Sequence, residues 1–191
     1  MARIEIIGVP GAGKSTLARQ LAHLGLALLH EDYRANPFWP SHLRAEVAKL
    51  GMELTFLLQH LDQIKATTEG PLPLICDYSL LTDKAFAMAR LNDDMAGLYL
   101  RVYDHLINSV EPATAYVAVL PTTADVHRQM RQRARPEERD FTELEIAKLG
   151  LAVTSLVSDL EKRGSGPIIR TGEREPQAIE AELRLILKAT R

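Results

Sequence analysis

The sequence predicts an α/β fold of the P-loop NTPase type: a five-stranded parallel sheet with helices on both faces, in three layers. Three observations carry this expectation. Strand-like and helix-like apolar segments alternate along the chain. The first strand opens directly into Gly8-Val9-Pro10-Gly11-Ala12-Gly13-Lys14-Ser15. The chemically capable residues Gly8, Glu31, Asp77 and Thr171, with Pro121, fall at or just past strand ends. Alternation of this kind builds a parallel sheet covered on both sides, and the ligands of such sheets lie beyond the carboxyl ends of the strands.

The segments follow in order. Arg3 to Gly8 reads as a buried strand and Lys14 to Leu24 as a helix, with Leu17, Ala18, Leu21, Ala22 and Leu24 apolar. Ala27 to His30 is a short strand that ends before Glu31-Asp32, and a Pro- and aromatic-rich loop follows, Asn36-Pro37-Phe38-Trp39-Pro40. Leu43 to Thr67 has a long helical pattern. Leu72 to Cys76 is a strand bounded by Pro71 and Asp77. Thr82 to Leu91 and Asp94 to Val110 are helices divided by a polar Asn92-Asp93-Asp94 turn. Ala115 to Leu120 is a strand, and Ala124 to Arg133 is a helix that becomes intensely basic. Phe141 to Arg163 is a helix, Ile168 to Arg170 a strand, and Pro176 to Lys188 a helix with proline in its first turn.

Bulk composition narrows the function classes. The chain of 191 residues is long enough for one α/β domain, residues 1–191. Its 23 basic and 25 acidic residues give a net charge of -2, which argues against a nucleic-acid partner. Cys76 is the sole cysteine, so no intrachain disulfide forms. The six histidines show no zinc-ligand spacing. No apolar run is long enough to span a bilayer and no signal-peptide pattern precedes the first strand, so the expectation is a cytoplasmic protein without a membrane partner.

Gly8 through Ser15 matches G-x-x-x-x-G-K-[ST] between a strand and a helix, the context that separates a P-loop from a chance Gly-rich turn. Gly11 and Gly13 let the backbone curl so that amides, Ala12 among them, face phosphate oxygens. The helix adds its positive end. Lys14 neutralises phosphate charge, Ser15 offers a hydroxyl to Mg²⁺, and Thr16 falls near the α-phosphate. The expected ligands are ATP or a related triphosphate, with Mg²⁺.

A guanine-reading Asn-Lys-x-Asp element is absent, and a large AAA or ABC ATPase needs more chain. Arg128, Arg131, Arg133, Arg135 and Arg139 crowd one segment, which reads as a lid over the phosphates at about residues 128–140. The plainer reading of such a run is a solvated helix face. Phosphoryl transfer to a hydroxyl also needs a carboxylate base. Glu31 follows a strand, Asp32 competes with it, and Asp77 ends another strand where a carboxylate reaches the Mg²⁺ shell.

At this point the chain resembles a known family, the deoxynucleoside kinases, especially their bacterial deoxyadenosine/deoxyguanosine kinase branch. The resemblance runs from about Arg3 to Arg170. It rests on the P-loop, on His30-Glu31-Asp32-Tyr33-Arg34-Ala35-Asn36-Pro37-Phe38, on Phe56-Leu57-Leu58-Gln59, and on Asp77-Tyr78-Ser79 with its continuation to Ala87. Leu98-Tyr99, Tyr103 and Arg133-Ala134-Arg135-Pro136-Glu137-Glu138 complete it. The resemblance implies a base role for Glu31 at a nucleoside 5′-hydroxyl, Mg²⁺ near Asp77, and a nucleobase near Gln59 and Asp83. It also implies phosphate contacts for Arg133 and Arg135, assisted by Arg128 or Arg131, with Glu138 near the sugar and a homodimer overall. Phe38 and Trp39 are read either as packing on the base or as core. One departure matters. The motif's arginine, which would hold the 5′-oxygen, is Tyr78 here, so another cation must orient the hydroxyl, a lid arginine being one candidate.

The leading expectation is therefore ATP-dependent phosphorylation of a deoxynucleoside. Its rivals are another small-molecule kinase, including one acting on a nucleoside monophosphate, and a nucleotide-binding switch without transfer activity.

Overall fold

The computed structural model describes residues 1–39, 45–138, 141–172, 174 and 176–190. Five parallel strands form one sheet in the order β2-β3-β1-β4-β5: β1 Arg3–Ile7, β2 Ala27–Leu29, β3 Leu74–Cys76, β4 Ala115–Ala118 and β5 Ile168–Arg170. Ile4 of β1 registers with Ile75 of β3 and with Ala115 of β4, which makes β1 the central strand. All five of its residues are buried, as a parallel strand covered on both faces requires.

Seven α-helices among the described residues cover the sheet: α1 Lys14–Ala22, α2 Glu46–Thr67, α3 Leu80–Arg90, α4 Asp93–Ile107, α5 Thr123–Arg133, α6 Glu143–Arg163 and α7 Pro176–Ala189. The alternation of β1 assigns them to faces. Ile4 and Ile6 pack with Leu21 of α1 and with Ile179 and Leu183 of α7. Ile7, on the opposite face, packs with Val126 and Met130 of α5 and with Val153 and Val157 of α6. A third apolar cluster joins Leu57, Leu61 and Ile64 of α2 to Leu80 and Ala87 of α3 and Tyr99 and Tyr103 of α4.

The predicted fold class and the order of the elements hold throughout, and the boundaries move by a few residues. The helix expected from Leu43 begins at Glu46, and Leu43 itself lies outside the described residues, as do Pro40 and Arg139. The helix expected from Thr82 begins at Leu80, because Ser79 caps it and accepts a hydrogen bond from the Leu81 N–H at 3.3 Å. The next starts at Asp93 after the Asn92 cap. The helix expected from Phe141 begins at Glu143, after the Thr142 cap.

One strand residue reaches across the sheet edge to fix the start of α3. Glu5 is 1% exposed and takes a 2.9 Å ion pair from Arg3. Its other oxygen accepts from the Ser79 hydroxyl at 2.8 Å and the Leu80 N–H at 3.2 Å. Burial pushes the Glu5 carboxyl above its ordinary value, against the pull of Arg3 and Ser79. An anion under a helix N-terminus satisfies donors that the helix itself cannot, and here it holds the turn that carries Asp77 and Tyr78.

Candidate active site

The strand ends, the P-loop and the lid enclose one cleft with about 1120 Å³ of space open to solvent. On one side stands the P-loop. Gly11 and Gly13 adopt φ +86° and +95°, conformations that side chains disfavour. A Cβ on Gly11 would lie 3.0 Å from Met130 and Val126, and one on Gly8 would lie 2.7 Å from the Val119 carbonyl. Gly13, Lys14, Ser15 and Thr16 line the cleft together with Pro10 and Gly11. Gly8 and Ala12 do not. They shape the loop from behind, Ala12 being buried with its N–H donated to the Val9 carbonyl at 3.1 Å. The Lys14 ammonium donates to the Val9 carbonyl at 3.2 Å. Burial pushes its pKa down, against the opposing charges of Glu31 and Asp77.

Across the cleft three carboxylates converge from two strand ends and a helix. Asp77, 1% exposed, follows β3. It accepts the Glu31 N–H at 2.7 Å through one oxygen and meets Nδ1 of His30 through the other. That bracing ties the end of β2 to the end of β3 and fixes the backbone of Glu31. The Glu31 side chain keeps 34% of its surface open to the cleft. Loss of water raises its carboxyl pKa above the ordinary value, partly offset by Lys14 and His60. Asp83, in the first turn of α3, pairs with Nδ1 of His60 at 2.8 Å. Asp32, the competitor of Glu31, instead caps the 3₁₀ turn Tyr33–Ala35, accepting from the Arg34 N–H at 3.2 Å.

The cleft continues into an aromatic recess. Tyr33, Trp39, Phe56 and Phe86 line it. Trp39 meets Phe56 edge-on with ring centroids 5.7 Å apart and Tyr33 at 5.6 Å. Asn36 pins this loop to α2 by donating to the Met52 carbonyl at 2.9 Å. A buried ion pair also lines the recess: Arg90 donates to Glu53 at 2.8 Å, with Arg90 and Glu53 side chains 8% and 2% exposed. Nε and Nη2 of Arg90 have no hydrogen-bond partner among the described residues, though Glu145 lies 3.8 Å from Nε. Burial raises the Glu53 carboxyl, and Arg90 opposes the shift.

The lid residues Arg133, Arg135 and Glu138 border the same cleft. Arg133 makes two hydrogen bonds to Glu138, at 2.7 and 2.5 Å, and Arg135 lies 3.5 Å from it and over the Tyr33 ring at 5.5 Å.

Most of the expected site residues thus come together: Gly11, Gly13, Lys14, Ser15, Thr16, Glu31, Asp77, Tyr78, Asp83, Arg133, Arg135 and Glu138. Three stand apart. Gln59 is half-buried on α2, about 100° round the helix from His60, and is not among the residues that line the cleft. Phe38 packs its ring over Gly51 of α2, where a Cβ would be 2.9 Å away, while its neighbour Trp39 enters the cleft. Arg131 is exposed and lines a separate depression with His127 and Glu143. Its neighbour Met130 takes the face of α5 that meets the P-loop. Arg128 is likewise off the cleft, paired with Asp125 at 2.5 Å. Sequence reasoning missed Glu53, His60 and Arg90. The signal was present: Glu53 and His60 interrupt the buried stripe Met52, Phe56, Leu57, Leu61 and Ile64, and ionisable groups on an apolar face need a partner or a purpose.

Ser15 and Asp77 are oxygen donors of the kind Mg²⁺ takes, and both line the cleft. The two Asp77 oxygens hold one donor each, which leaves a lone pair on each for a metal or its water. The residues present therefore fit the ion.

The sequence matches the family model described as AAA domain over residues 3–163. Chain length, which argued above against a large AAA ATPase, does not separate the chain from a family of that description. No curated protein matches the sequence. Three solved structures of deoxyadenosine kinase from M. mycoides share the fold, each at 18% identity. The structure with products dCMP and a flexible dCDP gives a TM-score of 0.83 over 98% of this chain and 99% of that one. The structure with dATP gives 0.82 over 96% and 100%, and that with dCTP gives 0.81 over 99% and 100%. The fold is that of the P-loop deoxynucleoside kinases.

Proposed function

The chain belongs to the AAA-domain family of P-loop proteins, and from that premise we propose that it is an ATP-dependent phosphotransferase acting on the 5′-hydroxyl of a (deoxy)nucleoside. The observation that carries this reading is the shared cleft. A P-loop and a one-third-exposed, backbone-braced Glu31 face one space, and that space continues into an aromatic recess. A nucleotide switch needs the first of these and has no use for the other two.

In this reading Gly11, Gly13, Lys14, Ser15 and Thr16 hold the triphosphate, with Gly8 and Ala12 shaping the loop. Ser15 and Asp77 would hold Mg²⁺, which would supply neutralising charge to the triphosphate when bound. Glu31 accepts the 5′-hydroxyl proton, the hydroxyl oxygen bonds to the γ-phosphorus, and the bond from that phosphorus to the ADP oxygen breaks. Arg133 and Arg135 exchange Glu138 for the transferring phosphoryl group and stabilise its spread charge. Glu138, released, meets the sugar. The base lies between Phe56, Trp39 and Phe86, against Tyr78 and Asp83, with the Glu53–Arg90 pair at its edge. A homodimer through α4, whose Leu98 and Val102 are 41% and 36% exposed, and a cytoplasmic location with the ATP pool belong to the same proposal.

Charge favours a neutral acceptor over a monophosphate. The recess side carries Glu31, Glu53, Asp77 and Asp83 against Arg90 and the His60 imidazole, so a phosphate there would meet a net like charge. The test is a panel of nucleosides and nucleoside monophosphates with MgATP, followed by ADP release. Release that rises with a nucleoside supports the reading, and release that rises only with monophosphates overturns it.

A further inference from the structure

Tyr78 occupies the place where the resemblance leads one to expect a cation, and its phenol cannot supply one. It is 2% exposed, and burial pushes its pKa far up. What the structure places on that phenol is another ring. The imidazole of His60 stacks on Tyr78 with centroids 3.7 Å apart and planes 5° from parallel. The stack fixes the imidazole plane, and the 2.8 Å contact of Nδ1 with Asp83 fixes its rotation. The Tyr78 hydroxyl reaches back to the His60 carbonyl at 3.4 Å. Nε2 is then aimed at the Glu31 carboxylate, 3.7 Å away. It is buried and has no hydrogen-bond partner among the described residues.

We propose that His60 is the positioning residue for Glu31: Asp83 and Tyr78 hold the ring so that its Nε2–H orients the carboxylate toward the acceptor hydroxyl. The proposal rests on the reading of Glu31 as the base. At 3.7 Å the contact lies just beyond hydrogen-bond length, and catalytic contacts commonly tighten when substrate arrives. An imidazole pinned at both Nδ1 and its face has no freedom to turn away, so orientation is transmitted to Glu31 rather than lost.

The groups around the ring agree with a charged imidazole. Glu31 and Asp77 face it from the sheet edge, Asp83 from α3, and Glu53 lies on its own helix. The buried phenols of Tyr99 and Tyr103 on α4 lie within the influence of the Asp83 charge. Lys14 lies across the cleft, near Glu31. Burial works against the imidazolium, but Asp83 first, then Glu31 and Asp77, outweigh it and raise the His60 pKa.

Two substitutions separate the two nitrogens. In His60→Asn the amide reaches Asp83 but has nothing at the Nε2 position. In His60→Gln a donor is restored near Nε2. The proposal expects His60→Asn to lose kcat by about tenfold or more with KM for ATP unchanged, and His60→Gln to recover a substantial part of it. Full kcat in His60→Asn overturns the proposal, as does an equal loss in both variants. If either variant fails to fold, the wild-type ring is followed by ¹⁵N NMR in the intact protein. The Nε2 resonance of His60 is expected to move on Glu31→Gln, and an unmoved resonance overturns the proposal. Full turnover in Glu31→Gln overturns both this proposal and the base reading beneath it. An inactive Glu31→Gln beside a fully active His60→Asn overturns this proposal alone.

Discussion

Glu31 shows how a residue becomes a candidate base. Its N–H is braced by Asp77, its side chain stays one-third open, and reduced hydration raises its affinity for a proton. Glu31→Gln keeps shape and hydrogen bonding while removing the accepting charge. It is expected to fold and bind ATP normally and to lose about 10²- to 10⁴-fold in kcat, measured by coupled ADP release. Lys14 makes the complementary case. Its part-buried ammonium, held by the Val9 carbonyl in this structure, is expected to transfer to phosphate oxygens, so Lys14→Ala lowers kcat/KM for ATP by about 10²-fold or more. At this scale the sequence was legible where a motif dictates backbone shape. Gly11, Gly13, Lys14 and Ser15 were readable from spacing alone. Gln59 and Phe38 were not, because helix phase and loop direction decide which of two neighbours turns toward the site: His60 rather than Gln59 faces Glu31, and Trp39 rather than Phe38 lines the cavity.

Among the elements, α3 is the one whose start sets the site. Ser79 both caps the helix and donates to the buried Glu5. Removing its hydroxyl strips a donor from a carboxylate that is 1% exposed. Ser79→Ala is expected to destabilise the fold by about 1–3 kcal/mol, a fall in Tm of about 2–4 °C per kcal/mol for a protein of this size. Thermal unfolding by circular dichroism checks it, and an unchanged Tm contradicts the anchoring role given to Glu5. The sequence reading placed this helix two residues late. Periodicity saw the apolar face and passed over the local Ser79 cap; what braces that cap is Glu5, 74 positions away in the chain. A contact of that range leaves no local pattern. The buried ion pair of Glu53 with Arg90, which joins α2 to α3, is hidden for the same reason.

For the whole molecule, topology does the positioning. The order β2-β3-β1-β4-β5 puts the P-loop after the central strand and brings the ends of β2 and β3 beside it. Glu31 and Asp77, 46 residues apart, become hydrogen-bonded neighbours. The alternation of segments was enough to read the fold class, and the solved deoxyadenosine kinase structures from M. mycoides bear out that fold at 18% identity. The recess was less legible, since Trp39, Phe56, Phe86, Glu53 and Arg90 come from three segments that only packing assembles. The central claim, transfer of a phosphoryl group from ATP to a nucleoside hydroxyl, is tested most directly by ³¹P NMR of the protein with MgATP and a mixture of deoxynucleosides. The account predicts a growing phosphomonoester resonance matched one-for-one by ADP. ADP accompanied only by inorganic phosphate, or ATP left intact beside folded protein, would contradict it.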